Sequence, residues 1–271
     1  MEFIIQILSY PFAQRAIIAG LLLSISAALI GVNLVLKRFS MLGDGLSHVS
    51  FGAAALGLAC GVAPLQFSIP IVIIAAFLLL RLKQNSKING DAATAIVSSS
   101  ALAVGITVAT LTTGMNTDIS NYMFGSILAL GKGELMVAVI CGVLIISVYI
   151  LFYQKILAST FDEDFAAVTG VKVKWYNSIN AILTAVTVVI GMRIMGALLI
   201  SSIITFPALS SMRICKHYKC TVIVAAVVSV ISFSTGLLLS FAFDIPAGAA
   251  VVLTNLTAFI ILSLVGKVKQ I

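Results

Sequence analysis

Nine long apolar runs, separated by short polar segments, dominate this chain and limit the folds open to it. A helix needs about 20 apolar residues to cross the hydrocarbon core of a bilayer, whereas strands of a membrane barrel show about 10 residues of alternating polarity. The length and continuity of the runs therefore predict an all-α, polytopic bundle of transmembrane helices. The runs cover approximately residues 16–36, 46–63, 67–82, 92–113, 134–152, 177–192, 196–212, 221–243 and 247–265.

The composition agrees with a membrane protein that forms one domain. Hydrophobic residues make up 61% of the chain and charged residues 9%, whereas soluble domains carry roughly 25% charged residues. No linker separates the runs, so residues 1–271 are predicted to form a single transmembrane domain. The runs at 177–192 and 196–212 are short for a span. If one pair is re-entrant, the bundle has eight spans instead of nine.

Basic residues alternate along the chain in a way that predicts its orientation. Lys and Arg are enriched on the cytoplasmic side of membrane proteins. Their alternation places the N-terminus outside and the C-terminus in the cytoplasm, with Lys132 and Arg193 as exterior exceptions and Arg193 as an interfacial anchor. The net charge of +7 is therefore a topological signal and does not indicate a nucleic-acid-binding surface. The basic segments are 37–38, 81–87, 155–174, 213–219 and 267–269.

The four cysteines do not have the spacing of a disulfide framework. Cys60 and Cys141 lie in apolar runs, whereas Cys215 and Cys220 flank basic residues on the side predicted to be cytoplasmic, where thiols stay reduced. A metal site formed with His217 is the alternative, but its spacing matches no standard zinc pattern. We therefore expect a reduced loop at this position.

Asp44 and His48 place an acid and an imidazole four residues apart at the start of the second apolar run. Side chains at this spacing share a helix face, and a carboxylate with an imidazole suits a divalent transition metal. If the helix is continuous from Lys37, His48 lies about 15 Å into the membrane. Ionisable groups at such depth are costly and mark functional sites. The alternative is a loop position for Asp44 and a carbonyl partner for His48.

Glycines surround this pair. Gly43 and Gly45 flank the acid and predict a break in the helix, of the kind tolerated where the backbone faces protein or a wet cavity. Small residues then recur at spacings that allow a neighbouring helix or a second subunit to approach closely. They are Gly52, Ala53, Gly57 and Gly61.

Pro207 lies inside the seventh apolar run, among hydroxyl side chains. Proline removes a helical hydrogen bond, and hydroxyls can satisfy the carbonyl that it frees. The segment is predicted to line a pathway or to form a hinge, and close packing of small residues is an equal alternative. The hydroxyl residues are Ser201, Ser202, Thr205, Ser210 and Ser211.

The segment at 160–170 predicts a short cytoplasmic helix. Thr160 followed by Glu163 has the pattern of a capping box with Thr160 as the N-cap, and acidic side chains suit the positive end of a helix. Gly170 provides the C-cap. The expected helix has about two turns. A short rigid helix between two spans is suited to docking a partner protein, and a solvated surface helix is the alternative. Its residues available for packing are Phe165, Ala166 and Val168.

The chain has no phosphate-binding pattern of the form Gly-x-x-x-x-Gly-Lys-Ser/Thr. The nearest match, at 131–133, lacks the hydroxyl residue. This chain is therefore expected not to hydrolyse ATP and not to be an enzyme. Any energy that its function requires would come from a partner or from an ion gradient. A hydrolase built on Ser47, His48 and Asp44 is disfavoured, because adjacent helical residues point about 100° apart and a nucleophile must reach its base.

Three segments resemble the signatures of metal-ion ABC permeases, the membrane subunits of bacterial zinc and manganese uptake systems. They are residues 38–48 with Gly52 after them, residues 161–170 and residues 196–208, in the family's order. Manganese permeases more often have Ala after the Asp and Leu-Pro-Gly after the His, so this chain is closer to the zinc branch. The resemblance implies ATP-driven import of a divalent metal, with zinc favoured and manganese or iron as alternatives. A secondary transporter driven by an ion gradient is the alternative of a different class.

The resemblance also implies partners. They are a second copy of the permease, two ATP-binding cassette subunits that bind ATP, and an extracytoplasmic metal-binding protein, all at the bacterial cytoplasmic membrane. The implied fold is similar to the cobalamin-importer class, without a resident cofactor. By resemblance, Asp44 and His48 fall on the metal pathway.

The remaining candidate residues belong to three groups. Exterior Asp118 and Asp244 are candidates for docking the binding protein or for attracting cations. Gly43, Gly45, Ser47 and Pro207 are the candidate pathway or hinge residues. The implied ATPase contact lies at 161–170 and includes Phe161, Asp162, Glu163, Asp164, Phe165 and Gly170.

Overall fold

The computed structural model of the chain describes residues 10–85, 90–112, 125 and 130–268. Within these ranges the chain forms eleven α-helices and no strand, which confirms the all-α prediction. Asp118 lies outside the described residues. The helices are α1 (Pro11–Leu36), α2 (Leu42–Ala59), α3 (Pro64–Asn85), α4 (Gly90–Leu111), α5 (Lys132–Leu151), α6 (Tyr153–Phe161), α7 (Glu163–Val168), α8 (Val173–Met195), α9 (Ala197–Ile214), α10 (Tyr218–Phe243) and α11 (Ala247–Val268).

Eight of the described helices are long and apolar enough to cross a membrane, namely α1, α3, α4, α5 and α8 to α11. The 18-residue α2, which carries Asp44 and His48, is not among these eight. Together these nine helices match the nine predicted runs. The two short runs correspond to α8, with 23 residues, and α9, with 18 residues, so both members of that pair reach spanning length.

The centre of the bundle consists of α1, α2, α8 and α9. Most residues of each of these helices are buried. The helices α3, α4, α5 and α11 lie outside them and expose most of their apolar surface. A helix that is apolar on every side needs either protein or lipid around it, so the outer helices have the surface expected of a protein in a bilayer.

The helices α2 and α4 approach each other closely at Gly52, as predicted. A Cβ atom on Gly52 would lie 2.5 Å from the carbonyl oxygen of Ala101, and one on Gly105 would lie 2.8 Å from the Cα of Gly52. Only residues without bulky side chains permit this spacing. Gly61 has no such role, because it lies in the turn after α2 with open space around it.

The charged residues define two ends of the bundle. At one end, which we call the Lys37 end, Lys37 contacts Glu163 and Gly266 packs against the carbonyl of Arg213. At the other end, which we call the Arg193 end, Arg193 contacts Glu134. The predicted cytoplasmic basic segments that contain Lys37 and Arg213 therefore share one end, as the positive-inside rule requires.

Arg193 has a more specific partner than an interfacial anchor would need. Its Nη2 lies 2.8 Å from Oε1 of Glu134, while Oε2 of Glu134 accepts a hydrogen bond from the backbone N–H of Gly131. Nearby, Arg15 donates to the carbonyl of Leu130. These contacts join the end of α8 and the start of α1 to the start of α5.

The prediction of a reduced loop at 213–219 is wrong. The structure pairs Cys215 with Cys220 in a disulfide. The short turn between α9 and α10 brings their Cα atoms to 5.7 Å, within the range that disulfides use. Spacing in sequence did not show this proximity. His217 does not complete a metal site there, since the described part of the chain has no group of three or more His, Cys, Asp or Glu side chains placed to hold a metal.

Candidate metal site and coupling helix

Asp44 and His48 lie on the first two turns of α2. The predicted helix break at Gly43 and Gly45 is wrong, because α2 runs without interruption from Leu42. The chain turns instead between Leu36 and Leu42, so the helix is not continuous from Lys37 and the depth of about 15 Å expected for His48 on that condition does not apply. These two glycines instead allow close packing. A Cβ atom on Gly43 would lie 2.9 Å from Cδ1 of Ile204 on α9, and one on Gly45 would overlap the methyl group of Thr94 on α4. The glycines therefore bring α4 and α9 against the turn that carries Asp44.

The two side chains face each other across one turn. Nε2 of His48 lies 3.7 Å from Oδ2 of Asp44, and the side chains are 28% and 47% exposed. Two ligands of a tetrahedral zinc ion, each about 2.1 Å from it, lie about 3.4 Å apart. The pair is thus close to the separation that one ion requires, and its exposure leaves room for the remaining ligands.

Ser47 is held away from this pair. It is buried, and its Oγ donates to the main-chain carbonyl of Asp44 at 2.7 Å. The hydroxyl is thus engaged with the helix backbone and is not paired with the imidazole of His48. A nucleophile must contact its base, so the structure gives no support to the hydrolase alternative.

Pro207 lies inside α9, about one turn beyond the contact of Ile204 with Gly43. In the part of the chain that the structure describes, no hydroxyl bonds the carbonyl of Ile203, which Pro207 leaves without its helical donor. The nearby hydroxyls of Ser201 and Ser211 donate to other helix carbonyls. The predicted satisfaction of this carbonyl is therefore not seen, and the hinge or pathway role of Pro207 stays a prediction.

The short helix predicted at 160–170 is α7, but its N-cap differs from the prediction. Thr160 belongs to the end of α6, where its Oγ1 donates to the carbonyl of Ile156. The N-cap is Asp162, whose Oδ1 accepts from the backbone N–H of Phe165 at 2.9 Å. The turn at Asp162 comes two residues later than predicted because α6 continues to Phe161, and Asp caps a helix as well as Thr does.

The end of α7 agrees with the prediction. Gly170 has φ of +83°, which glycine adopts without steric cost. Its N–H donates to the carbonyl of Ala167, and the N–H of Val171 donates to the carbonyl of Ala166. This pair of bonds is a Schellman motif, which closes α7 and leads directly into α8.

An exposed apolar patch marks this end of the molecule. Phe161, Phe165 and Val168 are all largely exposed, while Ala166 is buried beneath α7. We call these three side chains the coupling surface. Beside it, Lys172, Lys174 and Trp175 contribute to an open groove that also reaches Glu163 and Asp164. The surface thus combines apolar anchors with charges of both signs, as many protein interfaces do.

Glu163 has partners inside the bundle that the sequence did not reveal. Its Oε1 lies 3.0 Å from Nζ of Lys37 and accepts from Nδ2 of Asn177 at 3.1 Å. Lys37 marked only a membrane boundary in the sequence, and Asn177 only the start of a span. Lys37 and Glu163 are 126 residues apart, so no local pattern could have joined them.

Comparison with known proteins places this architecture in a family. Residues 9–266 match the model of the ABC 3 transport family. The chain is 31% identical over 246 residues to the high-affinity zinc uptake system membrane protein ZnuB of Haemophilus influenzae, covering 91% of this chain and 94% of that protein. It is 28% identical over 254 residues to the manganese transport system membrane protein MntC of Halalkalibacterium halodurans, covering 94% and 87% respectively.

A solved structure shows the same fold. PsaBC from Streptococcus pneumoniae in complex with Fab matches with a TM-score of 0.86 at 28% identity, over 96% of this chain and 94% of that chain. The family match and the eight apolar helices agree on a multi-pass protein of the plasma membrane. The resemblance found in the three sequence segments is therefore confirmed, and the chain belongs to the ABC 3 transport family.

Proposed function

We propose that this chain is the membrane-spanning permease subunit of an ATP-driven importer for a divalent transition metal, with zinc as the favoured cargo. The observation that carries the proposal is the facing pair of Asp44 and His48 on a central helix. Relatives named for zinc and for manganese both match nearly the whole chain. Zinc is favoured because ZnuB is the more similar of these two and because imidazole with carboxylate suits zinc.

The proposed energy source is a partner. The sequence lacks a phosphate-binding loop, so two ATP-binding cassette subunits would bind and hydrolyse ATP. They would dock on the coupling surface, formed by Phe161, Phe165 and Val168 at the predicted cytoplasmic end. Exposed aromatic side chains are frequent anchors of protein interfaces, which supports this assignment.

A second copy of the permease would complete the pathway. Each chain supplies one carboxylate and one imidazole, and a transported ion needs further ligands from water or from the second copy. A binding protein would deliver the metal at the Arg193 end, near the exposed Asp244. Partial ligation suits transport, because an ion that is held too tightly is not released.

Metal competition tests the cargo. The full transporter, with its ATPase and binding protein, would be reconstituted in liposomes, and uptake of zinc would be measured with manganese or iron in excess. We expect zinc uptake to be reduced less than about twofold by a tenfold excess of either competitor. Stronger inhibition by manganese would reassign the cargo. Uptake by the permease alone, without ATPase, would favour a secondary transporter instead.

The Phe165→Ala variant tests the docking of the ATPase. We expect it to weaken binding of the ATPase partner by about tenfold or more, because truncating an aromatic anchor commonly removes this much affinity. Pull-down or surface-plasmon measurements in detergent would give the affinity. The control is Val268→Ala, which truncates another largely exposed apolar side chain at the Lys37 end and should leave binding unchanged. Equal losses in both variants would contradict a specific surface.

A further inference from the structure

We propose that Lys37 is the positioning residue that transmits movement of α7 to the Asp44–His48 pair. The inference rests on the proposed function, since it takes α7 as the element that the ATPase moves. Lys37 is suited to this role because it bonds α7 on one side and begins the turn into α2 on the other.

Three elements meet at Lys37. Its Nζ donates to Oε1 of Glu163 on α7 at 3.0 Å and to Oδ1 of Asn177 on α8 at 2.5 Å. Nδ2 of Asn177 donates to the same Glu163 oxygen. The three side chains therefore form a ring of hydrogen bonds between α1, α7 and α8. Each side chain in the ring bonds both of the others.

The burial of Lys37 makes the bond to Glu163 difficult to release. Its side chain is 14% exposed, whereas that of Glu163 is 49% exposed. Burial lowers the pKa of the Lys37 ammonium, and the Glu163 carboxylate opposes that shift. The space beside it, between Leu34 and Asn180, is about 30 Å³, room for no more than about two waters. Asn177 is a neutral partner, and an enclosed ammonium is costly to separate from its counter-charge, so Lys37 follows Glu163 when α7 moves.

The connection from Lys37 to the metal pair is short and stiff. Arg38 adopts a φ of +55°, and the N–H of Phe39 donates to the carbonyl of Leu34, which closes α1 with a Schellman-type turn. Phe39 is buried, and the N–H of Leu42 donates to its carbonyl. A shift of Lys37 is therefore passed to Leu42, two residues before Asp44.

Other charged groups near α7 do not make this connection. Asp164, Lys172 and Lys174 are exposed and line the outer groove, where they face an approaching partner. Lys37 and Glu163 instead connect the outer helix to the bundle centre. The charges on the groove would thus select the ATPase, while Lys37 would convert its movement into a change at the metal pair.

The test measures the number of ATP molecules hydrolysed for each metal ion imported by the full transporter in liposomes. In the Lys37→Met variant we expect uptake to fall about tenfold or more while ATPase activity stays within about twofold, so that this ratio rises at least about fivefold. The Lys155→Met variant removes an exposed lysine of α6 and should leave the ratio unchanged. The Glu163→Gln variant keeps the side-chain shape and an acceptor oxygen but removes the negative charge that holds the Lys37 ammonium, so it should uncouple in the same way. It replaces Lys37→Met if that protein does not fold.

Exchanging the charges of Lys37 and Glu163 tests whether their ion pair transmits the movement of α7 or whether Lys37 only supports the fold. The double variant Lys37→Glu with Glu163→Lys restores an ion pair, and the Asn177 amide can reverse to serve it. We expect it to return the ratio to within about threefold of wild type.

Two outcomes would overturn the proposal. If the wild type requires ATP hydrolysis for uptake and the ratio is unchanged in Lys37→Met and Glu163→Gln, transmission through Lys37 is refuted while the proposed function stands. Uptake by the wild type without any ATPase would refute the proposed function together with it.

Discussion

The Asp44→Ala and His48→Ala variants are each expected to reduce metal uptake by about 100-fold or more. Loss of groups that only orient metal ligands costs about 10- to 100-fold in affinity or activity, so loss of a direct ligand should cost at least as much. Each variant removes one of the two groups that face each other at 3.7 Å, so each chain then offers one ligand to the ion instead of two. Uptake of radioactive or fluorescently detected metal into liposomes measures the effect.

The controls separate metal binding from assembly. Both positions are partly exposed, so alanine should leave the fold and the binding of the ATPase intact, which size-exclusion chromatography and the pull-down assay would show. The chain has one other histidine, and the exposed His217 provides a matched variant. The His217→Ala variant should retain uptake. Normal uptake by Asp44→Ala and His48→Ala would refute the site.

The sequence was sufficient to predict the spans because their information is local. Each apolar run is long enough to identify a helix without knowledge of its neighbours. The i, i+4 spacing of Asp44 and His48 is local in the same sense, and α2 presents them on one face. The C-cap at Gly170 was also predictable, since a glycine after a short helix is a strong local signal.

Contacts between distant segments were not predictable in this way. The role of Gly43 and Gly45 depends on Ile204 and Thr94, which lie on other helices. From the sequence alone the flexibility of glycine suggested a helix break, whereas these glycines are present because the neighbouring helices pack closely against them. The pairing of Lys37 with Glu163 spans 126 residues. Thr160 illustrates a third limit, because Asp162 offers an equally good cap two residues later and only the length of α6 decides between them.

The second large effect is expected from Gly31→Ala. Gly31 lies on α1 against the main chain of α9, and an added Cβ atom would overlap the carbonyl oxygen of Ile204. A backbone atom cannot turn away as a side chain can, so α1 and α9 must move apart. Overpacking costs about 1–3 kcal/mol when side chains can adjust, and we expect about 3 kcal/mol or more here. In a chain of this size that lowers the unfolding midpoint by about 10 °C.

The same substitution should also reduce uptake, because Ile204 connects the two sites. Its carbonyl meets Gly31, while its side chain packs beside Gly43, next to Asp44. Displacing α9 therefore moves the Ile204 side chain that packs beside the Asp44–His48 pair. Uptake should fall even at temperatures where the variant is folded. The control is Gly133→Ala, since nothing lies within 4 Å of a Cβ atom there and alanine favours a helix. Equal midpoints for the two variants, measured by thermal unfolding in detergent, would show that α1 and α9 can separate freely. Equal uptake by the two variants, at a temperature where both are folded, would show that Ile204 does not link packing to transport.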